Sequence, residues 1–172
     1  MADGPSFNDI KAQAAVLVPL VKLLREEIGI ERANDLVVRA LSEWARSVGK
    51  LLREIPAQTP LAKLKVAIEG LDAAGMQETE FLKSSDTQLD YNVRRCRAAE
   101  FYRSLGLEDL GYLLVCKLDE SVMPALDAKI SFVRDQTLMQ GADYCTFRFT
   151  RPNDESQNLA DSSMPKDSGR LG

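Results

Sequence analysis

The residues able to do chemistry in this chain are few, and one absence narrows them most: there is no histidine. Ser-His-Asp and Cys-His catalysis within one chain are thereby excluded, as is any metal site that needs imidazole. Acid–base work must fall to Asp, Glu, Cys, Tyr or Lys. Three cysteines remain, Cys96, Cys116 and Cys145. The second stands in Cys116-Lys117-Leu118-Asp119, where a carboxylate three residues from a thiol could activate a water or orient the cysteine. Asp119 would not by itself lower the thiol pKa, because a negative neighbour disfavours the thiolate. Following Leu113-Leu114-Val115, Cys116 equally fits a packed core cysteine.

Cys96 ends the segment Asn92-Val93-Arg94-Arg95-Cys96. Strand alternation puts Leu89, Tyr91 and Val93 on one face, and Asp90, Asn92, Arg94 and Cys96 on the other. An amide, a guanidinium and a thiol on one face could hold a small anion. The same pattern fits a solvent-facing polar side that ends in a small buried cysteine. Cys145 lies in the run from Gln136 through Thr137 to Phe149. There Cys145, Phe147 and Phe149 share a face, and Gly141 permits a tight turn or the close approach of a ligand. A plain hairpin with a packed cysteine would read alike. With 19 and 28 residues between them and no close-set pair, the cysteines are a poor metal signature. A three-thiolate site completed by Asp119 is geometrically possible.

These residues need elements to position them. Ile10, Ala14, Leu17, Val21, Leu24 and Ile28 recur at helical spacing, predicting a first helix from Asn8, its N-cap, to Gly29. Pro19 inside it should kink the helix or mark a boundary. A second helix runs from about residue 31 to 55, with Ala33, Val37, Ala40, Trp44, Val48, Leu51 and Ile55 on its apolar face and Pro56 after its end. Its stripe of Arg32, Arg39, Arg46 and Arg53 could form an anion-binding track but reads better as a solvated face, since Asp35 and Glu43 are interleaved. A shorter helix spans 60–73. Alternation over 76–83 and 87–95, around Ser84-Ser85-Asp86, predicts a β-hairpin. Residues 97–104 return to helix, 108–109 begin a short turn, and 112–118 fit strand or helix. Residues 129–139 and 142–150 read as strands joined around Gly141. The lead-in 1–7 and the polar segment 151–172 read as disordered. The expected fold is α+β: N-terminal helices packed on a C-terminal antiparallel sheet with a helical interruption, one domain over 8–150.

The 172 residues carry a net charge of −4, with 45% hydrophobic and 28% charged positions. That composition suits one domain with its own core. The charge argues against nucleic-acid or anionic-membrane partners, and no apolar run reaches the length of a membrane span. An odd cysteine count without a secretory signal points to free thiols in a reducing cytoplasm.

The order NVRRC, FYRSLGLEDLG, CKLD and TLMQGADYCTFRF, with ERANDLVVRALSEWARSVG before it, resembles the 2-amino-thiazoline-carboxylate hydrolase family over roughly residues 10–150. One departure is Arg94, where the family is expected to carry Thr. The resemblance implies a ring-opening hydrolase acting on a small heterocycle without a cofactor. The namesake reaction adds water at the amidine carbon and expels the ring sulfur, giving an N-carbamoyl-cysteine. Catalytic roles would fall to Cys116, Asp119, Cys96 and Cys145. Asn92, Arg95, Thr137 and Gly141 would bind substrate. Its carboxylate needs an arginine; strand alternation favours Arg94, while the family motif favours Arg95. Either water activated by Asp119 or direct thiolate attack would serve. A homo-oligomer is compatible with the sequence. The final G-x-x-x-C segment also resembles vinyl-reductase-like small-ligand-binding domains, leaving a non-catalytic ligand- or metal-binding module as the alternative.

Overall fold

The first three helices form where apolar spacing requires them. In the computed structural model, which describes residues 6–153, α1 spans Phe7–Ile28, α2 Ile30–Leu52 and α3 Pro60–Ala73. The start of α1 is set by Ser6 rather than Asn8: the Asp9 amide donates to Ser6 Oγ (3.3 Å), and the Ser6 amide donates back to Asp9 Oδ2 (2.7 Å). This capping box satisfies two otherwise orphaned donors. α1 continues through Pro19, so that residue marks no boundary. Gly29 separates α1 from α2, and α2 stops at Leu52, three residues before the expected end.

The hairpin follows as β1 (Gln77–Ser84) and β2 (Gln88–Cys96), then α4 (Arg97–Ser104). The ambiguous run 112–118 is helical. It closes α5 (Glu108–Leu114), enters a 3-10 turn at Cys116–Leu118 and leads into α6 (Asp119–Leu126). This last helix has no counterpart among the expected elements, and it forms although Pro124 removes one intrahelical hydrogen bond.

The long strand expected over 129–139 is corrected to β3, Ser131–Val133. Beyond it the Asp135 and Gln136 amides donate to Thr146 Oγ1 (2.9 and 3.4 Å), and the chain winds into a 3-10 turn at Leu138–Gln140. These side-chain bonds draw the backbone away from the ladder. The final strand is β4, Cys145–Thr150, shorter than 142–150. The sheet order is β1-β2-β4-β3, all antiparallel. N-terminal helices and one four-stranded antiparallel sheet make this an α+β fold.

Register decides which face each candidate occupies. Thr79 opposes Val93 and Glu78 opposes Arg95, so Arg94 is an extra, unpaired residue: a β-bulge. The bulge breaks strict alternation, and Cys96 therefore packs on the Val93 side instead of the Asn92 side.

Two cores result. One lies between α3, α6 and the sheet face carrying Leu89, Tyr91, Val93, Cys145 and Phe149. The other joins α1, α2, α4 and α5 through Ala14, Val21, Val37, Tyr102 and Leu110. Cys96 and Leu138 pack against both. At Gly49 the backbones of α2 and α6 approach so closely that a Cβ would meet the Val122 carbonyl and come within 2.7 Å of Ala125 Cβ.

Of the expected polar tail, Arg151 is tied to the domain: its Nε meets Asp127 (2.7 Å) and its amide donates to Thr87 O (2.9 Å). The remainder from 154, and residues 1–5 of the lead-in, lie outside the described residues. No helix among the described residues is long and apolar enough to cross a membrane.

Candidate active site

The seam between the two cores collects the candidate chemistry. Cys96 arrives at the end of β2, Cys145 at the start of β4, and Cys116 and Asp119 at the two ends of the turn that joins α5 to α6. Each thiol lies within electrostatic reach of the other two and of Asp119. Among the described residues, however, no three Cys, Asp or Glu side chains are arranged to hold a metal ion.

At the centre of this seam stands Arg134, a residue absent from the sequence-derived candidates. Its side chain is 5% exposed, beside an Asp119 side chain that is 36% exposed. Nη1 donates to Asp119 Oδ2, and Nη2 donates to the Cys116 carbonyl (2.7 Å). One guanidinium thus clamps both ends of the Cys116–Asp119 turn. Its carbon lies 5.3 Å from the Phe147 ring centroid, 5.4 Å from that of Phe132 and 6.0 Å from that of Tyr112, within cation–π range. Phe132 and Phe147 belong to a stacked series on the inner face of the sheet, in which Tyr91 and Phe147 are 4.8 Å apart, as are Phe132 and Phe149, while Tyr112 reaches the guanidinium from α5. A signal for Arg134 exists in the sequence. Ile130, Phe132 and Arg134 share alternation parity, which puts a charge on an otherwise apolar face.

Burial and this ion pair set the protonation states. Burial pushes the Asp119 carboxyl up, and Arg134 pulls it back. Burial, then the Asp119 charge, pushes the Cys116 thiol far above the ordinary cysteine range, with Arg134 opposing. Burial raises Cys96, against the pull of the Ala99 and Ala98 amides at the head of α4. It pushes Cys145 up to about 11, despite the Leu138 amide donating to its sulfur (3.2 Å). Tyr91 is raised as well, by burial and then by Asp119. The site therefore sets three neutral thiols and a phenol within electrostatic reach of one carboxylate–guanidinium pair.

A chemical consequence follows for Cys145. A free cysteine titrates near pH 8.5, so at pH 8 the native thiolate population should be about two orders of magnitude below that of the unfolded chain. Alkylation of native protein by iodoacetamide, read at Cys145 by mass spectrometry, should be slow at pH 8 and climb as pH rises toward 11. Equal native and urea-unfolded rates at pH 8 would contradict the assignment.

The residues expected to bind substrate are placed less uniformly. Asn92 is buried on the opposite face of the sheet, where its Oδ1 accepts from Arg148 Nη2 (2.9 Å). Thr137 is buried and caps the 3-10 turn, accepting from the Gln140 amide (3.2 Å). Gly141 closes that turn at φ +96°, which a side chain would strain. Thr137 and Gly141 frame Leu138, whose carbonyl accepts from the Gly141 amide (3.1 Å). Arg95 is exposed and paired with Glu100 (2.6 Å), but it borders an open cleft beside Cys96.

The sequence matches the family model for L-2-amino-thiazoline-4-carboxylic acid hydrolase over residues 8–149. No curated protein is similar to it in sequence. Among solved structures, the crystal structure of the phenol-responsive sensory domain of the transcription activator PoxR with phenol is similar at a TM-score of 0.55 and 14% identity, over 89% of this chain and 82% of that one. At that identity the likeness is one of fold.

Proposed function

The chain belongs to the L-2-amino-thiazoline-4-carboxylic acid hydrolase family, and from that membership we propose that it hydrolyses a small cyclic amidine or amide and opens the ring. The observation that supports this most is the gathering of Asp119, Arg134 and three thiols at one seam. In the reaction, Asp119 takes a proton from water as the oxygen adds to the amidine carbon. The bond from that carbon to the ring sulfur then breaks, and the sulfur leaves with the proton. The family's namesake substrate would give N-carbamoyl-cysteine. A ring thiolate with a parent pKa near 8.5 is an adequate leaving group. Before the attack, the Asp119 carboxylate can also hold the protonated amidine, whose carbon is then more electrophilic. Arg134 fixes that carboxylate and its turn. Water is favoured over a cysteine as nucleophile, because the three raised thiols carry little thiolate at neutral pH. Cys96, Cys116 and Cys145 line the site as neutral groups.

The test is direct. Purified protein incubated with L-2-amino-thiazoline-4-carboxylate should release a titratable thiol and a product heavier by one water. Tight binding with no thiol release would replace this reading with the alternative, a small-ligand-binding module. That second reading is favoured by the protonated thiols beside a stacked aromatic face, and by the fold shared with a phenol-responsive sensory domain.

A further inference from the structure

Beside Cys96 the surface opens into a cleft of about 190 Å³, bordered by Arg94, Arg95, Glu100, Arg103 and Leu138. That volume is below the range of drug-sized pockets and suits a molecule of amino-acid size. Its three guanidinium groups are not equivalent. Arg94 pairs with Glu80 (2.6 Å) and lies over the Tyr144 ring, 4.5 Å from its centroid. Arg95 engages both oxygens of Glu100 (2.6 and 3.2 Å) and reaches Glu78 (3.4 Å). Arg103 meets no carboxylate among the described residues; Nη1 donates to the Leu138 carbonyl (3.1 Å), and the side chain is otherwise exposed.

We propose that Arg103 is the carboxylate receptor of this cleft, binding a small anionic ligand so that the rest of the molecule lies against Cys96. An arginine offers five donors in a planar fork matched to a carboxylate, and here one donor is already committed to a backbone carbonyl. That bond orients the fork before ligand arrives, which reduces the ordering cost of binding. Glu100 would repel an anion, but Arg95 neutralises both its oxygens. Leu138 ties the cleft to the chemistry: its carbonyl holds Arg103 while its amide donates to Cys145 Sγ (3.2 Å). The residue that positions the receptor thus also contacts the thiol seam. Naming the ligand as the ring substrate rests on the hydrolase reading; the anion preference of the cleft does not.

The experiment is an NMR titration of the ¹⁵N-labelled full chain with L-2-amino-thiazoline-4-carboxylate, and separately with its methyl ester. The carboxylate should shift the amides of Cys96 and Ala99. Arg103→Gln should weaken its affinity about tenfold or more, the scale of a lost charge-assisted hydrogen bond. Arg103→Lys should restore part of the loss, and the ester should bind both proteins equally weakly. Unchanged affinity in Arg103→Gln, shifts remote from the cleft, or no binding would each overturn the assignment. Arg103-dependent binding without turnover would sink the hydrolase reading alone. Turnover with an unchanged KM in Arg103→Gln would sink the receptor alone.

Discussion

Asp119→Asn should lower turnover of the ring substrate by about 10²–10⁴, the usual effect of removing a general base. The amide keeps the shape of the carboxyl and can still accept a hydrogen bond from Arg134, but it cannot take the proton from water. Its binding of a protonated amidine should weaken too, so KM should rise while kcat falls. Cys116→Ser separates the two chemistries. With water as nucleophile, the serine variant retains appreciable activity, because the thiol serves as a neutral lining group. If turnover vanished instead, the cysteine would be the attacking atom, since serine without a histidine is poorly activated. Unimpaired turnover by Asp119→Asn on a confirmed substrate would remove that residue from the mechanism.

Arg134→Met should have the largest effect on stability. The substitution keeps much of the side-chain volume but removes the cation between Asp119 and the aromatic rings. Breaking a buried pair is strongly destabilising because the remaining charge is left uncompensated. With Asp119 36% exposed, water offsets part of this, and the expected loss is roughly 2–3 kcal/mol at pH 7. Its pH dependence has a definite sign. Without Arg134, burial, with the Glu120 charge, acts on Asp119 unopposed and raises its folded pKa further. An acid with a raised folded pKa binds its proton more tightly folded than unfolded. The penalty is therefore present above the folded pKa and disappears as pH falls through it toward the unfolded value near 3.9. Urea melts should show a smaller deficit at pH 4 than at pH 7. Arg134→Met combined with Asp119→Asn should recover most of the loss. An equal deficit at both pH values would mean that lost packing, not the stranded charge, is responsible.

Much of the fold was legible because apolar spacing is a local signal. Helices α1 to α4 and the hairpin follow from residues a turn or an alternate position apart. The failures have tertiary causes. β3 is short because Thr146, eleven residues from Asp135, supplies one side-chain acceptor to two amides and bends the chain out of the ladder. α6 forms against α2 at Gly49 despite Pro124. The site was legible at its cysteines and Asp119, whose types stand out in any reading. Arg134 was legible only as an anomaly, a charge sharing parity with Ile130 and Phe132, because the partner that explains it lies fifteen residues away. Arg103 also escaped notice, because what distinguishes it from its neighbours is which arginines already hold carboxylates.

The bulge at Arg94 separates the length of the chain from its spelling. Residues 93 and 96 stand three apart, an odd interval that would turn their side chains to opposite faces of a regular strand. One surplus residue makes the interval behave as an even one, and Cys96 joins Val93 at the seam. The architecture requires that position 94 be occupied, while its side chain leans outward to Glu80 and Tyr144. It is here that the chain carries Arg where the family resemblance leads one to expect Thr. A spacer can change its identity freely so long as it is not deleted, and the thiol behind it keeps its address.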